Sequence, residues 1–240
     1  MKTVSIIQKI LSSLDDPATL WFKLQNRRMV AFSMCKNLRK YAYSIEGSEI
    51  RRIVDVGANV GQFAKMARYC WPVAFIESFE PDAAAAAAFR REHCNDGRIA
   101  LHEHALGADP GELTIHYGET SEQNSAFIET HGRQRGVFQV QVLRLDDVVL
   151  RGDEGKQLLK LDVQGYEMQV LKGAEKTLKE VDFVLVELSL ADTFEGGALI
   201  ENVWAFLRQR GFTYRQILDC YRDTATDVIL QMDILFGRKR

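Results

Sequence analysis

The sequence has few of the features that mark membrane, secreted or fibrous proteins. None of its apolar runs approaches the roughly 20 residues that span a bilayer, and the start, Met1–Ser5, does not resemble a secretory signal. Its 4 cysteines, Cys35, Cys70, Cys94 and Cys220, form no C-x-x-C pair, which argues against a disulfide scaffold. Its 4 prolines and 17 glycines do not cluster, so we expect neither a linker nor a low-complexity segment.

The charge is nearly balanced, with 31 basic against 33 acidic side chains and a formal net charge of −2. A chain without an overall basic field is not expected to bind duplex nucleic acid as its main partner. Its 240 residues, 46% of them hydrophobic, are enough for one domain with a real core. We therefore expect a soluble cytoplasmic protein, whose oligomeric state the sequence leaves open.

Residues 1–48 have the pattern of a helical segment. The apolar spacing predicts an amphipathic helix over residues 4–14, which Asp15–Pro17 ends, and a second helical stretch that continues to Met34. We predict that this segment is a helical cap packed on the main domain, residues 49–240. A membrane-surface helix is the alternative, because basic residues are interspersed among the apolar ones.

From Arg52 onward, predicted strands alternate with predicted helices. This alternation is typical of an α/β fold, in which helices cover both faces of a mostly parallel sheet. Two further segments with alternating apolar residues, 112–117 and 138–142, predict a hairpin, and residues 212–218 and 228–236 predict a C-terminal antiparallel pair. The predicted parallel strands are Ile53–Val56, Val73–Phe79, Ile99–His102, Leu158–Asp162 and Phe183–Leu188. Ligands of such sheets bind at the carboxyl ends of the strands, so the candidate site residues are found there.

The first predicted strand ends in a glycine-rich turn, D-V-G-A-N-V-G, at residues 55–61. Gly57 and Gly61 let the backbone turn sharply and let a ligand approach closely. The turn matches neither the dinucleotide fingerprint nor the phosphate-binding loop. Asp55 would repel a phosphate but can engage an ammonium, directly or through water. This favours S-adenosyl-L-methionine as a ligand of the turn, including Ala58 and Asn59; an ordinary tight turn is the alternative.

The second predicted strand ends in Phe79-Glu80-Pro81. An acid at the tip of the neighbouring strand, about 20 residues further on, is the usual partner of both ribose hydroxyls of an adenosine cofactor. We predict this role for Glu80, with Pro81 beside it; the alternative is an acid that favours the dipole of the next helix. After the third strand, Ala105 and Leu106 are predicted to border an adenine.

Two further acids end the fourth and fifth predicted strands. Asp162 lies in K-L-D-V-Q-G-Y-E at residues 160–167, and Glu187 lies in V-E-L. Neighbouring strands are about 4.8 Å apart, so these acids can share a proton, a hydroxyl or a cation if their strands are adjacent. Their proximity would raise one pKa and favour a general base. Equally, lysines or backbone amides can hold the pair in a purely structural role.

Histidines provide one further candidate. His131 lies beside two arginines in the loop of residues 121–135, above the carboxyl end of the sheet, and is a third candidate base. His102 and His104 are two positions apart, but no third ligand is nearby in the sequence, so we predict no metal site.

Together these segments resemble the FkbM-type S-adenosylmethionine-dependent methyltransferases. The resemblance covers about residues 52–190 and rests on D-V-G-A-N-V-G, F-E-P, A-L-G, L-D-D, K-L-D-V-Q-G-Y-E, V-L-K-G-A and V-E-L in that order. It implies a class I methyltransferase (Rossmann-like) fold with seven strands, the last two of which form the antiparallel pair. It also implies O-methylation, commonly of sugars, glycans or secondary metabolites. Gln164 departs from the family pattern, in which Glu is frequent at this position.

The expected reaction transfers a methyl group from S-adenosyl-L-methionine to a hydroxyl of a small-molecule or glycan acceptor, with Asp162 or Glu187 as the base. Because it follows the fourth strand, Asp162 is also predicted to contact the methionine end of the cofactor. A methyltransferase that uses both carboxylates with Mg²⁺ is the alternative among enzymes. A non-catalytic scaffold that retains the cofactor-binding fold is the alternative from another class. The intact turn at residues 55–61 and Glu80 weigh against the scaffold.

Overall fold

A computed structural model describes most of the chain. The described residues are 16–26, 29, 31–44, 47–118, 121, 124–127, 136–148, 155–190, 197, 199–223 and 225–238. The helix predicted over residues 4–14 and the candidate base His131 lie outside them. Within the described ranges, no helix is long and apolar enough to cross a membrane.

In chain order the strands of the described residues are β1 (Ile50–Val56), β2 (Phe75–Phe79), β3 (Ile99–His102), β4 (Ala105–Leu106), β5 (Gly111–His116), β6 (Val137–Leu143), β7 (Lys156–Leu161), β8 (Phe183–Ser189), β9 (Phe212–Arg222) and β10 (Ile229–Arg238). Seven of them form the central sheet, in the order β3-β2-β1-β7-β8-β10-β9. The first five in this order are parallel, and β10 runs antiparallel to both β8 and β9. This is the mostly parallel sheet with a C-terminal antiparallel pair that the sequence predicts.

A second, three-stranded sheet has the order β4-β6-β5. The predicted hairpin is confirmed, because β5 and β6 pair antiparallel from Gly111 opposite Val142 to His116 opposite Val137. The parallel pairing of β4 with β6 was not predicted, because two residues are too few to show a strand pattern. This small sheet places Ala105 and Leu106 next to the end of β3.

The helices of the described residues are α1 (Pro17–Gln25), α2 (Phe32–Ala42), α3 (Gln62–Cys70), α4 (Ala83–His93), α5 (Glu167–Lys172), α6 (Thr177–Glu180) and α7 (Ile200–Gln209). Two predicted helices are each divided. The stretch up to Met34 separates into α1 and α2. The helix that follows β7 separates into α5 and α6 at Gly173, a poor helix former whose Cβ would lie 1.9 Å from the carbonyl oxygen of Gly107.

The core has one layer on each face of the central sheet. Along β1, Ile53 packs with α2, α3 and α4, whereas Val54 packs with α5, α6 and α7 on the opposite face. This alternation follows from the two-residue period of a strand. Leu38 of α2, which is 1% exposed, belongs to the first of these layers. The described part of the N-terminal segment therefore packs on the sheet, while the domain boundary at residue 48 stays a prediction.

Candidate active site

A cavity of about 450 Å³ lies at the carboxyl ends of the parallel strands. Its volume falls within the range of about 300–1,000 Å³ that is typical of small-molecule sites. The sequence predicts a ligand at this edge of the sheet, and most of the predicted site residues line the cavity. The lining residues at strand ends include Val56, Gly57, Ala58, Asn59, Phe79, Glu80, Pro81, Ala105, Leu106, Asp162, Val163, Gln164 and Glu187.

The turn after β1 is held against β2 and against the residue that follows β7. The N–H groups of Gly57 and Ala58 both donate a hydrogen bond to the carbonyl oxygen of Phe79, with a donor–acceptor distance of 3.0 Å in each case. Gly57 has a φ of 76°, and a Cβ there would lie 1.8 Å from the carbonyl oxygen of Asp162. Only glycine suits this position, because the left-handed backbone and the close approach both exclude a side chain.

The second glycine of the turn acts through helix packing. Gly61 has a φ of 95° and directly precedes α3. A Cβ on Gly61 would lie 2.4 Å from Nε2 of His93 in α4, so the glycine lets these two helices approach each other. Gly61 is not among the residues that line the cavity, and its role in cofactor binding stays a prediction.

Glu80 connects the turn after β1 to the start of α4. Its Oε2 accepts a hydrogen bond from the N–H of Asn59, and its Oε1 accepts one from the N–H of Asp82. Both donor–acceptor distances are 2.8 Å. Burial raises the pKa of Glu80 to about 7, although both backbone donors oppose the rise. The helix N-terminus is capped by Asp82 instead, which accepts from the N–H groups of Ala84 and Ala85. Glu80 therefore lines the cavity without serving as the helix cap.

Asp55 is fully buried, and it is not among the residues that line the cavity. Its Oδ1 lies 3.4 Å from Nζ of Lys160, and its Oδ2 accepts a hydrogen bond of 3.3 Å from Oγ of Ser78. Burial raises the pKa of Asp55, and the Lys160 ammonium opposes that rise. The ammonium that contacts Asp55 is therefore that of Lys160, whereas the sequence predicts the ammonium of a ligand there. Contact between Asp55 and the cofactor stays a prediction.

Lys160 is the centre of a buried charge network. Its Nζ lies 3.2 Å from Oδ2 of Asp162 and donates a hydrogen bond of 3.2 Å to the carbonyl oxygen of Gly57. Burial opposes its charge, but Asp162 and Asp55 raise its pKa above the ordinary value. Lys160 thus joins the β1 and β7 ends of the site. The sequence places it in a motif, but no local pattern reveals its partner Asp55, which lies on another strand.

Asp162 and Glu187 come together as predicted, because β7 and β8 are parallel neighbours with Leu161 opposite Val186. The side-chain amide of Gln164 joins them: its Nε2 donates to Oδ1 of Asp162 over 2.9 Å and to Oε2 of Glu187 over 2.7 Å. Burial raises the pKa of Glu187 well above its ordinary value, and the Asp162 carboxylate adds to the rise. The pair is therefore held by an amide and a lysine, while one of its members has the raised pKa of a candidate base.

Two more acids, Asp233 and Asp219, continue from Glu187 across the antiparallel strands. Together with Asp162 and Glu187 they form what we call the carboxylate row. Asp233 lies opposite Glu187 in the pairing of β10 with β8, and Asp219 lies opposite Asp233 in the pairing of β9 with β10. All three line the cavity. Burial and the Asp162 carboxylate raise the pKa of Asp233 to about 7. Neither acid was predicted as a site residue: Asp219 lies one position beyond the strand predicted over residues 212–218, and Asp233 lies inside the strand predicted over residues 228–236, away from its end.

Glu167 holds the loop between β7 and α5. It is 3% exposed, and its Oε1 accepts hydrogen bonds from the N–H groups of Val163 and Gly165, over 3.2 and 3.1 Å. Burial raises the pKa of Glu167 to about 7. The last residue of the K-L-D-V-Q-G-Y-E motif therefore shapes the loop that carries Gln164.

The insert between β5 and β6 is hydrogen-bonded to three strand-end segments. Three polar side chains of the insert each donate one hydrogen bond to a different segment, so the described part of the insert is fastened over the cavity. The bonds run from Oγ of Ser121 to Oδ1 of Asn59 (2.9 Å), from Nδ2 of Asn124 to Oδ2 of Asp82 (2.9 Å) and from Oγ of Ser125 to the carbonyl oxygen of Gln164 (2.6 Å).

Ser125→Ala should lower the free energy of unfolding by about 1 kcal/mol, because Ser125 is 3% exposed and its loss leaves a partly buried carbonyl without its donor. Urea denaturation measures the change. Ser33→Ala is the matched control, since its hydroxyl makes an exposed hydrogen bond to Asp219. Equal and negligible effects of the two substitutions would contradict a role of Ser125 in fastening the insert.

Histidine positions do not form a metal centre within the described ranges. Nε2 of His102 lies 2.6 Å from Oε2 of Glu77, and His104 lines the cavity. Among the described residues, no group of three or more His, Cys, Asp or Glu side chains is arranged to hold a metal ion.

Residues of the N-terminal segment form part of the cavity wall, which the sequence analysis did not predict. Hydrogen bonds attach α2 to β9 there: Oγ of Ser33 donates to Oδ1 of Asp219, and Nδ2 of Asn37 donates to the carbonyl oxygen of Leu218, each over 2.6 Å. Only a pattern across distant segments would reveal this contribution. The lining residues are Lys23, Met29, Ala31 and Met34.

The residues present fit an adenosine-type cofactor. Nδ2 of Asn59 is buried and has no hydrogen-bond partner within the described part of the chain, although its Oδ1 accepts from Ser121. A buried donor without a partner costs free energy, so a ligand acceptor at this point would relieve it. Glu80 places a carboxylate on the cavity wall, and Ala105 and Leu106 add apolar side chains to it.

Fold and site together define a class I methyltransferase. The family model of the methyltransferase FkbM domain matches residues 55–214. The chain therefore belongs to the FkbM methyltransferase family, as the sequence motifs predicted, and S-adenosylmethionine is its cofactor.

Relatives of known name agree with this identification. The 2-O-methyltransferase NoeI of Sinorhizobium fredii is 31% identical over 159 residues, which cover 60% of this chain and 65% of NoeI. The 31-O-demethyl-FK506 methyltransferase FkbM of Streptomyces tacrolimicus is 28% identical over 204 residues, which cover 71% of this chain and 77% of that protein. The crystal structure of magnesium protoporphyrin IX methyltransferase from Synechocystis, with bound S-adenosylmethionine, has the same fold at 8% identity. Its TM-score is 0.50, over 85% of this chain and 78% of that one.

Proposed function

We propose that the protein methylates a hydroxyl oxygen of a sugar, glycan or secondary metabolite. The main support for this proposal is the pair of carboxylates, Asp162 and Glu187, in a cavity of a methyltransferase fold. Methylation of a hydroxyl requires a group that removes its proton, and a carboxylate with a raised pKa suits this task near neutral pH. The names of NoeI and FkbM, both O-methyltransferases, support the same reaction.

The residues at the ends of β1 and β2 are proposed to hold the cofactor. Bound S-adenosylmethionine supplies an electrophilic methyl group, so the chain's own residues need only orient the cofactor and deprotonate the acceptor. Glu80 would accept hydrogen bonds from the ribose hydroxyls, and Asn59 would donate from its unpaired Nδ2. Ala58, Pro81 and the β4 strand would border the rest of the adenosine.

The acceptor is proposed to bind between the carboxylate row and the N-terminal segment. We propose that Glu187 and Asp233 form one side of the acceptor site and that Met29 and Met34, which line the same cavity, form another. The two sides would hold an acceptor with hydroxyl groups on one face and apolar atoms on the other, at the near-attack distance of about 3–3.5 Å from the methyl carbon. In this proposal, residues 1–48 form a cap that completes the acceptor site of the domain at residues 49–240.

Turnover with defined acceptors tests the proposal. The protein would be titrated with S-adenosylmethionine by calorimetry and then incubated with a panel of methyl glycosides, while release of S-adenosylhomocysteine is followed. We expect saturable cofactor binding and release that depends on at least one glycoside. The same assay with a chelator tests the Mg²⁺-assisted alternative. Lack of binding at millimolar cofactor would favour the non-catalytic scaffold, and cofactor binding without release on any glycoside would contradict O-methylation of a sugar.

A further inference from the structure

Gln164 is held in place through both its backbone and its side chain. It follows β7 with a φ of 51°, in the left-handed region that most side chains avoid. Its carbonyl oxygen accepts the 2.6 Å hydrogen bond from Ser125, and its side chain reaches between Asp162 and Glu187. Backbone and side chain are thus both fixed, so the amide is held in one place between the two acids.

The amide affects the two acids differently. Asp162 has both oxygens engaged, Oδ1 by Gln164 and Oδ2 by the Lys160 ammonium at 3.2 Å. Glu187 receives both of its donors on one oxygen: Oε2 accepts from Gln164 over 2.7 Å and from Nε2 of Gln231 over 3.3 Å. No described residue donates a hydrogen bond to its Oε1. Both oxygens of Asp162 therefore have a partner among the described residues, whereas on Glu187, which lines the cavity, only Oε2 has one.

An amide at position 164 also matches the charge of its surroundings. Asp162, Glu187 and Asp233 already line this part of the cavity, with Lys160 as their nearby cation. A glutamate in place of Gln164 would add one more negative charge and would remove both N–H donors. Because an amide nitrogen donates and does not accept, it stabilises both carboxylates in their ionised forms.

We propose that Gln164 is a positioning residue that assigns the proton-accepting role to Oε1 of Glu187 and holds Asp162 in its contact with Lys160. This inference rests on the proposed O-methylation. In the step concerned, the O–H bond of the acceptor breaks and its proton moves to Oε1. The electron pair stays on the acceptor oxygen, which forms the new bond to the methyl carbon as the bond from that carbon to sulfur breaks. Gln164 takes no part in the proton transfer.

The test measures the titration of Glu187 by ¹³C NMR of the labelled side-chain carboxyl, with Glu187→Gln used to assign its signal. Gln164→Met removes both donors while keeping the side-chain length. We expect it to raise the pKa of Glu187, because the ionised form loses its 2.7 Å hydrogen bond. Gln164→Glu should raise this pKa further, through the added charge. Gln139→Met, on the exposed face of β6, is the matched control and should leave the titration unchanged.

The wild-type protein provides a second measurement that needs no folded variant at position 164. The two side-chain N–H signals of Gln164 should shift as pH passes through the titration of Glu187, and this shift should vanish in Glu187→Gln. The proposal would be overturned if the pKa of Glu187 is unchanged in a folded Gln164→Met protein. It would also be overturned if the N–H chemical shifts of Gln164 do not change as Glu187 titrates.

Activity then separates this inference from the proposed function. Once a glycoside acceptor turns over, Gln164→Met should move the acid limb of the kcat–pH profile to higher pH and leave the Kd for S-adenosylmethionine within about threefold. A wild-type profile in Gln164→Met would contradict the positioning role while leaving O-methylation intact. If no acceptor hydroxyl is methylated by the wild type, the proposed function fails, but the NMR results still report whether Gln164 controls Glu187.

Discussion

Glu187→Gln should lower kcat by about 10²- to 10⁴-fold, the usual contribution of a general base, and should change the affinity for S-adenosylmethionine little. The substitution keeps the size of the side chain and lets its oxygen still accept from Gln164. It removes the basic oxygen that the proposal assigns to the acceptor proton. Single-turnover methylation across pH, with cofactor affinity measured by calorimetry, checks both expectations.

Two comparison variants sharpen this result. Glu201→Gln changes an exposed acid at the start of α7 and should retain the wild-type rate. Asp162→Asn removes a carboxylate whose oxygens are held by Gln164 and Lys160, and its rate should fall less than that of Glu187→Gln. If both Asp162→Asn and Glu187→Gln turn over at the wild-type rate, neither acid is the base, and His131 becomes the next residue to substitute.

Glu80→Ala should weaken the binding of S-adenosylmethionine by more than tenfold. Hydrogen bonds to a charged group contribute about 1.5–3 kcal/mol each before compensation, and the ribose has two hydroxyls to donate. The substitution also removes the carboxylate that accepts from the N–H groups of Asn59 and Asp82, so the turn after β1 loses its attachment to α4. Calorimetric titration of the folded variant gives the dissociation constant, and an unchanged value would contradict the ribose assignment.

The pH dependence of cofactor binding tests the same carboxylate without a substitution. Burial raises the pKa of Glu80 to about 7 in the free protein. The ionised form accepts hydrogen bonds from the ribose, so affinity should decrease as pH falls through about 7 and should be constant well above it. The Glu80→Ala variant should lack this part of the pH dependence. An equal dependence in both proteins would assign it to another group.

Local patterns were enough to predict the sheet and the strand-end motifs. Alternation along β1 separates Ile53 from Val54, and the glycine at position 57 marks the sharp turn. The sequence brought Asp162 and Glu187 together only on the condition that their strands are adjacent, and the pairing of β7 with β8 meets that condition.

Contacts between distant parts of the chain could not be predicted in this way. Lys160 pairs with Asp55 from another strand, and Ser125 of the insert reaches the carbonyl oxygen of Gln164. The wall supplied by Met29 and Met34 depends on how α2 packs against the sheet. Each of these arrangements is set by the three-dimensional packing of segments, and no residue pattern within a single segment records it.

Transfer of a ¹³C-labelled methyl group identifies the atom that the protein methylates. The protein would be incubated with methyl-labelled S-adenosylmethionine and the glycoside panel, and the products examined by NMR for the labelled carbon and the atom to which it is bonded. We expect a labelled methyl ether in the wild-type reaction and its loss in the Glu187→Gln reaction. A wild-type reaction that labels no oxygen of any glycoside, or a methyl ether formed equally well by Glu187→Gln, would contradict O-methylation with Glu187 as the base.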